Sequence, residues 1–255
     1  MVNRISQQYI IIADAHLGGS NDSPCTASFF ELLETISALP ASTGVIFLGD
    51  IMELWVAAGH HYESETHRRF VQWCLHEKGR RDIIFFEGNH EFFISKKYRD
   101  LFPPGQITSS EIQIGNTLLI HGDLLNRADR AYHLLRILLR NPITYMLGCL
   151  TSPLFGPLVA QKILLSLKTK NMHHKKYFPL SDAKRYMSEQ KKRGISHIIA
   201  GHFHTAKKLE ENGCVMDVIP AFFDQYEIGL FQSGENGSVP SIKTGVWKDI
   251  LPAVF

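Results

Sequence analysis

The sequence lacks the signals of several protein classes. Its four cysteines are widely separated and form no C-x-x-C pair, which argues against a zinc clamp or a disulfide framework and predicts free thiols in a reducing compartment. The formal net charge is +2, so there is no strong field of one sign to attract nucleic acid, and we predict no nucleic acid partner. The sequence also has no internal repeats and no low-complexity tracts.

An uninterrupted apolar run long enough to span a membrane is missing as well. The longest uncharged stretch, 141–161, matches the length of a bilayer span, but three prolines and two glycines interrupt it. We therefore expect a surface element that faces lipid and not a transmembrane helix. At the N-terminus a strand begins within a few residues, so we expect no cleavable signal peptide.

What the sequence does contain is an alternation of apolar strands and amphipathic helices. With 255 residues, 44% of them apolar, the chain can bury a full core, and we predict a single domain over 1–255. In the first half the expected strands are 9–13, 45–48 and 83–86, and the expected helices are 29–39 and 63–78. This order is typical of parallel βαβ units, in which ligands bind beyond the carboxyl ends of the strands.

The second half has a more antiparallel pattern. A hairpin is expected at 112–120, followed by a helix that Ser181 caps and that ends near Arg193, and then by a strand at 198–200. Three further strands, at 215–219, 226–231 and 241–246, are expected to form a meander. We infer an α/β fold in which two mixed sheets pack as a β-sandwich flanked by helices. More chain lies between His121 and His202 than one crossover needs, which predicts a helical cap insertion at about 128–180.

Five short polar segments each follow an apolar run. They are Asp14-Ala15-His16, Gly49-Asp50, Gly88-Asn89-His90-Glu91, His121-Gly122-Asp123 and Gly201-His202-Phe203-His204. The predicted metal ligands in them are Asp14, His16, Asp50, Asn89, His121, His202 and His204. Seven such ligands are enough for two divalent cations that share one carboxylate, and Asp50 is the natural bridge. A cation pair of this kind activates water and stabilises the charge that develops on phosphorus.

The ligand types limit the metal. Histidine nitrogen, carboxylate and one amide oxygen, without thiolate, suit Mn²⁺, Mg²⁺, Fe²⁺ or Zn²⁺, and we favour manganese. The alternative for any single histidine is an ordinary packed or surface side chain, and a metal-free scaffold would be expected to have lost some of the seven ligands. Glu91 and Asp123, each close to predicted ligands, are expected to orient histidine ligands.

His90 lies beside these ligands without a clear place among them. It can donate a hydrogen bond to the phosphoryl oxygen or to the leaving group, and the alternative is that it packs behind Asn89. We predict that Asp50 and His90 are catalytic. The residues predicted to contact the substrate at this point are Asn89, His90 and His202.

Taken together, the motifs D-x-H, G-D, G-N-H-E, H-G-D and G-H-x-H resemble those of the calcineurin-type metallophosphoesterase superfamily, and they cover most of the chain. The resemblance implies the αββα sandwich of that superfamily and in-line attack of water on phosphorus. It also implies two overlapping ligand sets, Asp14, His16, Asp50 and His204 for one cation, and Asp50, Asn89, His121 and His202 for the other.

Two longer stretches resemble one family within the superfamily, the UDP-2,3-diacylglucosamine pyrophosphatases of lipid A synthesis. Residues 49–56 are similar to that family's G-D-L-F-E-x-W-I, and residues 121–132 are similar to its H-G-D-x-L-x-x-x-D-x-A-Y. The resemblance implies cleavage of UDP-2,3-diacylglucosamine to UMP and 2,3-diacylglucosamine 1-phosphate by a peripheral protein on the cytoplasmic face of the inner membrane. It also implies a helical cap before G-H-x-H and a substrate contact by Asp129.

The predicted cap also suggests a lipid-linked substrate. Residues 134–167 are unusually apolar, which suits a sleeve for acyl chains, and ordinary helix packing is the alternative. Arg136 and Arg140 share one helix face, where we expect them to contact phosphates or anionic lipid, or to face solvent. Asn171 and Lys175, in a basic segment after the cap, are predicted to contact the diphosphate or the uridine.

The chain departs from that family at two places. Where the family has arginine after G-N, this chain has His90, which is the more general superfamily pattern, and its segment 218–224 matches the family's ending only loosely. The alternative is therefore a phosphodiesterase or phosphatase of the same superfamily that acts on another nucleotide or lipid-linked phosphoester. The sequence predicts no particular oligomeric state.

Overall fold

Parallel strands form the centre of the first sheet. A computed structural model describes residues 8–18, 23–58, 63–102, 106–150, 177–234 and 240–252. The sheet has the order β13–β12–β1–β2–β4–β6, with β1 at Gln8–Ile12, β2 at Thr43–Phe47, β4 at Ile83–Phe86, β6 at Ile107–Thr108, β12 at Glu227–Gln232 and β13 at Ser241–Val246. The strands β1, β2, β4 and β6 pair in parallel, as the βαβ pattern predicts, whereas β12 joins β1 in antiparallel orientation.

Two helices cover the outer face of this sheet. They are α1 at Pro24–Ala38 and α2 at Glu65–Glu77. Helix α1 begins at Pro24, earlier than the predicted residue 29, because the Ser23 hydroxyl caps it by accepting a hydrogen bond from Thr26 N and proline suits the first helical position. Phe29 and Phe70 from these helices pack with Phe47 of β2 in one buried cluster.

The second sheet is mixed and has the order β10–β11–β9–β8–β7. Its strands are β7 at Glu111–Ile114, β8 at Thr117–Ile120, β9 at His197–Ala200, β10 at Lys207–Glu211 and β11 at Cys214–Val218, and α6 at Leu180–Lys192 covers its outer face. The predicted meander is wrong, because β11 pairs with β9 and β10 here while β12 and β13 pair in the first sheet. Ser181 is also not the helix cap, since it lies inside α6 and Pro179 precedes the helix.

The two sheets pack face to face around a shared apolar layer. Alternate residues of β1 divide between the two cores, because successive side chains on a strand point to opposite faces: Ile11 contacts the layer between the sheets, and Ile10 and Ile12 pack in the cluster that includes α1 and α2. From the second sheet, Leu119 and Ile199 enter the shared layer. Helices thus cover both outer faces, and the predicted αββα sandwich is confirmed.

Several short elements complete the described chain. They are β3 at Trp55–Val56, β5 at Glu91–Phe92, α3 at Ile94–Lys97, α4 at Arg130–Leu139, α5 at 142–150, α7 at Phe222–Gln225 and α8 at Trp247–Ile250. Helices α4 and α5 fall in the predicted cap, but residues 151–176 lie outside the described chain, so the cap at about 128–180 stays a prediction, as does the single domain. No helix in the described ranges combines the length and the apolar character needed to cross a bilayer.

The buried ion pair between Arg81 and Glu77 gives a test of this fold. Both side chains are fully buried and Arg81 Nε lies 2.6 Å from Glu77 Oε2, so Arg81→Met leaves a buried carboxylate with one partner fewer. We expect the free energy of unfolding in urea to fall by about 3–5 kcal/mol. Arg80 also contacts Glu77 but is 46% exposed, and Arg80→Met should lower it by less than about 1 kcal/mol. Equal losses in the two variants would contradict this packing.

Candidate metal centre

The seven predicted ligands come together at the carboxyl ends of five strands. Asp14 and His16 follow β1, Asp50 follows β2, Asn89 follows β4, His121 follows β8, and His202 and His204 follow β9. These strands come from both sheets, so the cluster lies where the two sheet edges meet. This is the position at which ligands bind in sheets of this type.

The backbone at five of these ligands is in the left-handed region. The φ angles are 49° at Asp14, 46° at His16, 53° at Asp50, 71° at His202 and 60° at His204. Aspartate and histidine enter this region more readily than most residues, but at some conformational cost. Such strain persists where the surrounding structure fixes it, and it concentrates at functional sites.

The first group of ligands is built around Asp14. Its Oδ1 lies 3.3 Å from His204 Nε2 and 4.0 Å from His16 Nε2. Its Oδ2 accepts a hydrogen bond of 2.8 Å from the backbone N–H of His202. One ligand atom from each of Asp14, His16 and His204 lies within 4.8 Å of the others, a spacing that one cation can bridge.

The second group is built around Asp50. Its Oδ2 lies 3.6 Å from His121 Nε2, and Asp50, His121 and His202 form a second set whose ligand atoms lie within 4.8 Å of one another. Asn89 Oδ1 lies 3.3 Å from His121 Nε2. Asp50 Oδ2 is also 3.9 Å from His16 Nε2, so this carboxylate faces both groups, as a bridging ligand must. The ligand roles themselves stay predictions.

The tautomer of His121 suits a metal ligand. Its Nδ1 lies 2.8 Å from the carbonyl oxygen of Leu48, and because a carbonyl can only accept, Nδ1 carries the proton. This leaves Nε2, which faces Asp50 and Asn89, as the ligand nitrogen in the neutral ring. Such a hydrogen bond on the far nitrogen is the usual way in which proteins orient metal-binding histidines.

The charges of the cluster favour cations. Although burial opposes it, the charge of Asp50 raises the pKa of His121 to about 10, and burial together with Asp50 raises the pKa of Glu91 to about 8. Burial opposes ionisation of Asp14 too, yet its hydrogen bond with His204 lowers the pKa of this carboxyl to about 2. Burial lowers the pKa of His202 to about 4, which keeps this ring neutral. The raised pKa values of His121 and Glu91 show a negative potential around Asp50, and a divalent cation bound there would take the place of the proton on His121 Nε2. His202 already offers a neutral imidazole.

Buried polar atoms support the same fit. His202 Nδ1 and His90 Nε2 are buried without a hydrogen-bond partner in the described chain. Leaving buried polar groups unpaired is costly, and such atoms in a native structure are usually satisfied by water, a ligand or an ion. The nitrogen and oxygen donors present suit two divalent cations of the manganese, magnesium, iron or zinc type.

His90 belongs to the cluster and does not simply pack behind Asn89. Its Nδ1 lies 2.6 Å from the carbonyl oxygen of Glu53, which orients Nε2 towards Asp50 Oδ2 at 3.9 Å. The structure groups His90 with His16 and Asp50 as a third set of potential ligand atoms. Its catalytic and substrate-binding roles stay predictions, as do the substrate contacts of Asn89 and His202.

Glu91 and Asp123 have partners other than those expected. The two oxygens of Glu91 accept four backbone N–H groups, from Asp50, Ile51, Met52 and Gly88, at 2.8–3.1 Å. Glu91 therefore fixes the loop backbone around Asp50, whereas a contact with a histidine ligand was predicted. Asp123 Oδ2 accepts hydrogen bonds from the Tyr132 hydroxyl and from Arg136 Nε.

The remaining predicted contacts have mixed outcomes. Asp129 is exposed and caps α4, since its Oδ1 accepts a hydrogen bond from Tyr132 N; its contact with substrate stays a prediction. Asn171 and Lys175 lie outside the described residues. Arg136 and Arg140 do not form a solvated face, because both point at the protein, towards Asp123 and Glu87. Their contact with phosphates or anionic lipid stays a prediction.

Phe223 is a neighbour of the site that sequence reasoning missed. Its ring lies edge-on to His16 and His204, with centroid distances of 5.5 and 5.0 Å. The residue is 40% exposed. No motif marks it, because it lies in an apolar stretch that reads as ordinary core.

Comparison with known proteins places the cluster among phosphoesterases. A family model for calcineurin-like phosphoesterases matches residues 8–206. The UDP-2,3-diacylglucosamine hydrolase of Psychromonas ingrahamii is 25% identical to this chain, and the match covers 76% of this chain and 80% of that protein. The hydrolase of the same name from Shewanella baltica strain OS155 is also 25% identical, and the match covers 91% of this chain and 96% of that protein. The solved structure of a dimetal phosphatase from Danio rerio aligns with 94% of this chain and 96% of that chain, at 14% identity and a TM-score of 0.47.

Gly88 gives a direct test of the cluster geometry. A Cβ at this position would lie 2.9 Å from Asp50 Cγ and 2.5 Å from Asp50 N, so Gly88→Ala must displace the carboxylate that faces both groups. We expect Mn²⁺ affinity, measured by calorimetry on the metal-free protein, to fall by about 10–100-fold. Gly115→Ala is the control, because φ is +58° there and no atom lies within 4 Å; it should lower stability and leave Mn²⁺ binding unchanged. Parent-like affinity in Gly88→Ala would show that Asp50 is not held as described.

Proposed function

Because the chain belongs to the calcineurin-like phosphoesterase family, we propose that it is the hydrolase that cleaves UDP-2,3-diacylglucosamine to UMP and 2,3-diacylglucosamine 1-phosphate. The family match and the clustered aspartates and histidines make the chain a hydrolase of phosphoesters. The observation that carries the finer proposal is the similarity to UDP-2,3-diacylglucosamine hydrolases over as much as 91% of the chain.

The stretches that resemble this family support the proposal by their position. Residues 49–56 contain Asp50 and run into β3, where Trp55 is fully buried among aromatic rings. Residues 121–132 begin with His121 and end with Tyr132, whose hydroxyl donates to Asp123. Each stretch therefore supplies a metal ligand and continues into residues that anchor the chain beside it, since Trp55 N also donates to the carbonyl oxygen of His90.

The residues would divide the work as follows. Asp14, His16, Asp50 and His204 would hold one cation, and Asp50, Asn89, His121 and His202 the other. When bound, the pair supplies water activation and stabilisation of charge on the phosphoryl oxygens. Asn89 provides a neutral amide oxygen. A carboxylate at this position would add a negative charge that repels the diphosphate.

His90 can act on the phosphoryl or leaving-group oxygen through Nε2. Since Nδ1 donates to the Glu53 carbonyl, a neutral His90 has a lone pair on Nε2 and can only accept there. Donation to the substrate therefore requires the doubly protonated ring, in which both nitrogens carry hydrogen. In this proposal His90 serves as the proton donor for the departing UMP or sugar phosphate.

The apolar surface of α4 and α5 supports a substrate with acyl chains. The side chains that are more than half exposed include Leu134, Leu135, Ile137, Leu138, Ile143, Met146, Leu147 and Leu150. Contiguous exposed apolar residues of this kind mark binding sites more often than ordinary surface, and each buried acyl methylene contributes about 0.8 kcal/mol to affinity. The proposal includes manganese as the metal and peripheral attachment to the cytoplasmic face of the inner membrane.

The substrate claim is tested by incubating the purified protein and Mn²⁺ with UDP-2,3-diacylglucosamine. We expect UMP release that EDTA abolishes and that Asp50→Asn reduces by at least about 1,000-fold, because an uncharged amide with a single oxygen is a poor bridge between two cations. UDP-N-acetylglucosamine, which has no acyloxy chain, is the matched substrate control and should be cleaved far more slowly.

Bis(p-nitrophenyl) phosphate, a general phosphodiester substrate, tests for phosphoesterase activity independently of the glycolipid. If this diester is hydrolysed while micromolar protein releases no UMP from the glycolipid, the protein acts on another phosphoester and the substrate claim is refuted.

A further inference from the structure

Helix α4 is attached to the rest of the protein in an unusual way. None of its ten residues is buried, and Leu134, Ile137 and Leu138 are 55–69% exposed. An amphipathic helix on a globular protein ordinarily packs its apolar stripe on the core. Among the described residues, the apolar side chains of α4 join none of the buried clusters, and polar contacts attach the helix to the sheets.

Those contacts come from three polar residues at four-residue spacing. Tyr132 and Arg136 lie on α4, and Arg140 follows directly as its C-cap. Residues four apart share one helix face, and this face is turned towards the metal cluster. The exposed fractions of the Arg136 and Arg140 side chains are 15% and 12%, which is low for arginine.

Arg136 binds the loop that follows β8. Its Nε lies 2.9 Å from Asp123 Oδ2, and a terminal nitrogen donates to the carbonyl oxygen of Ser109 at 2.5 Å. The Tyr132 hydroxyl donates to the same Asp123 oxygen. Asp123 is two residues beyond His121, so the two hydrogen bonds to Asp123 fix the short loop that carries this ligand. Ser109, between β6 and β7, anchors the other side of the guanidinium.

Arg140 binds the loop that follows β4. One terminal nitrogen lies 3.2 Å from Glu87 Oε2, and the other donates to the carbonyl oxygens of Gly88 and Glu91, the latter at 3.0 Å. These acceptors flank Asn89 and His90 on both sides. A guanidinium can reach several acceptors from one plane, which a lysine ammonium cannot do in the same way.

The two loops belong to different sheets. Strand β4, which precedes Asn89, lies in the first sheet, and β8, which precedes His121, lies in the second. Their ligand atoms, Asn89 Oδ1 and His121 Nε2, must nevertheless stay 3.3 Å apart to face one cation. A single helix face with one arginine on each loop is well placed to hold this spacing.

We propose that Arg136 and Arg140 are positioning residues that hold the Asn89 loop and the His121 loop at the spacing needed for the second cation. Neither residue touches the predicted ligands themselves; each acts through Asp123 or through the backbone beside Asn89. The proposal rests on the metal cluster of the family and not on the glycolipid substrate. Arg140, the C-cap of α4, thereby places a guanidinium beside the G-N-H loop of this chain.

Mn²⁺ titration of the metal-free protein tests the proposal without any substrate. The variants are Arg140→Gln, Arg136→Gln and Arg140→Lys, with Arg130→Gln as the control, since Arg130 is exposed on the same helix. In Arg140→Gln and Arg136→Gln we expect one of two Mn²⁺ binding steps to weaken by about 10–100-fold, the usual effect of losing a group that orients metal ligands. The other step, which belongs to Asp14, His16 and His204, should keep its affinity.

The conservative variant and a second readout sharpen the test. Arg140→Lys keeps the positive charge but loses the planar guanidinium that reaches several acceptors. The Mn²⁺ affinity of its weakened step should therefore lie between those of the parent and Arg140→Gln. With bis(p-nitrophenyl) phosphate, kcat should fall in the glutamine variants while KM changes by less than about twofold, because loss of positioning acts on the reacting geometry.

Three results would overturn the proposal. They are two unchanged Mn²⁺ steps in folded Arg140→Gln, an equal loss at both steps, and full parent affinity in Arg140→Lys, which would show that charge alone suffices. Should the glutamine variants fail to fold, as judged by near-UV circular dichroism, Arg140→Lys alone decides between loss at one step and no loss. A failure to release UMP from the glycolipid refutes the substrate claim and leaves these titrations unaffected.

Discussion

The fully buried carboxylate of Asp50 is the constraint around which the site is organised. A buried carboxylate is costly unless it is paired and hydrogen-bonded. Its Oδ1 accepts the backbone N–H of His90 at 2.9 Å, and its own N–H donates to Glu91. The left-handed backbone at Asp50 aims Oδ2 at histidines from both groups, His16 and His121. The surrounding loops thus prepare a negative centre that two cations can share.

Most of this site could be predicted from the sequence because its ligands follow apolar strands directly. The buried runs before Asp14, Asp50 and Asn89 mark parallel strands, and the carboxyl ends of parallel strands meet at one edge. The sheet that each late strand joins could not be predicted, because an apolar pattern identifies β11 and β12 as strands but only long-range packing decides their neighbours. The polar strand β10 escaped prediction for a related reason, because its exposed residues show no apolar alternation.

The residues that support the ligands were harder to predict than the ligands. Glu91 was expected to hold a histidine, but it binds four backbone N–H groups, a role that no residue pattern signals. Arg136 and Arg140 were correctly placed on one helix face, yet their partners Asp123 and Glu87 are distant in sequence. Sequence spacing identifies which side chains share a surface, whereas the surface they meet depends on the tertiary fold. The apolar side of the same helix supports the proposed lipid substrate, so one helix would serve both metal geometry and substrate choice.

The central claim is that two cations bind on either side of the Asp50 carboxylate. Anomalous diffraction from crystals grown with excess Mn²⁺ tests it most directly. We predict two peaks about 3.5–4 Å apart, one beside Asp14, His16 and His204, the other beside Asn89, His121 and His202, with Asp50 between them. A single peak, or an Asp50 carboxylate that reaches neither ion, would contradict the account.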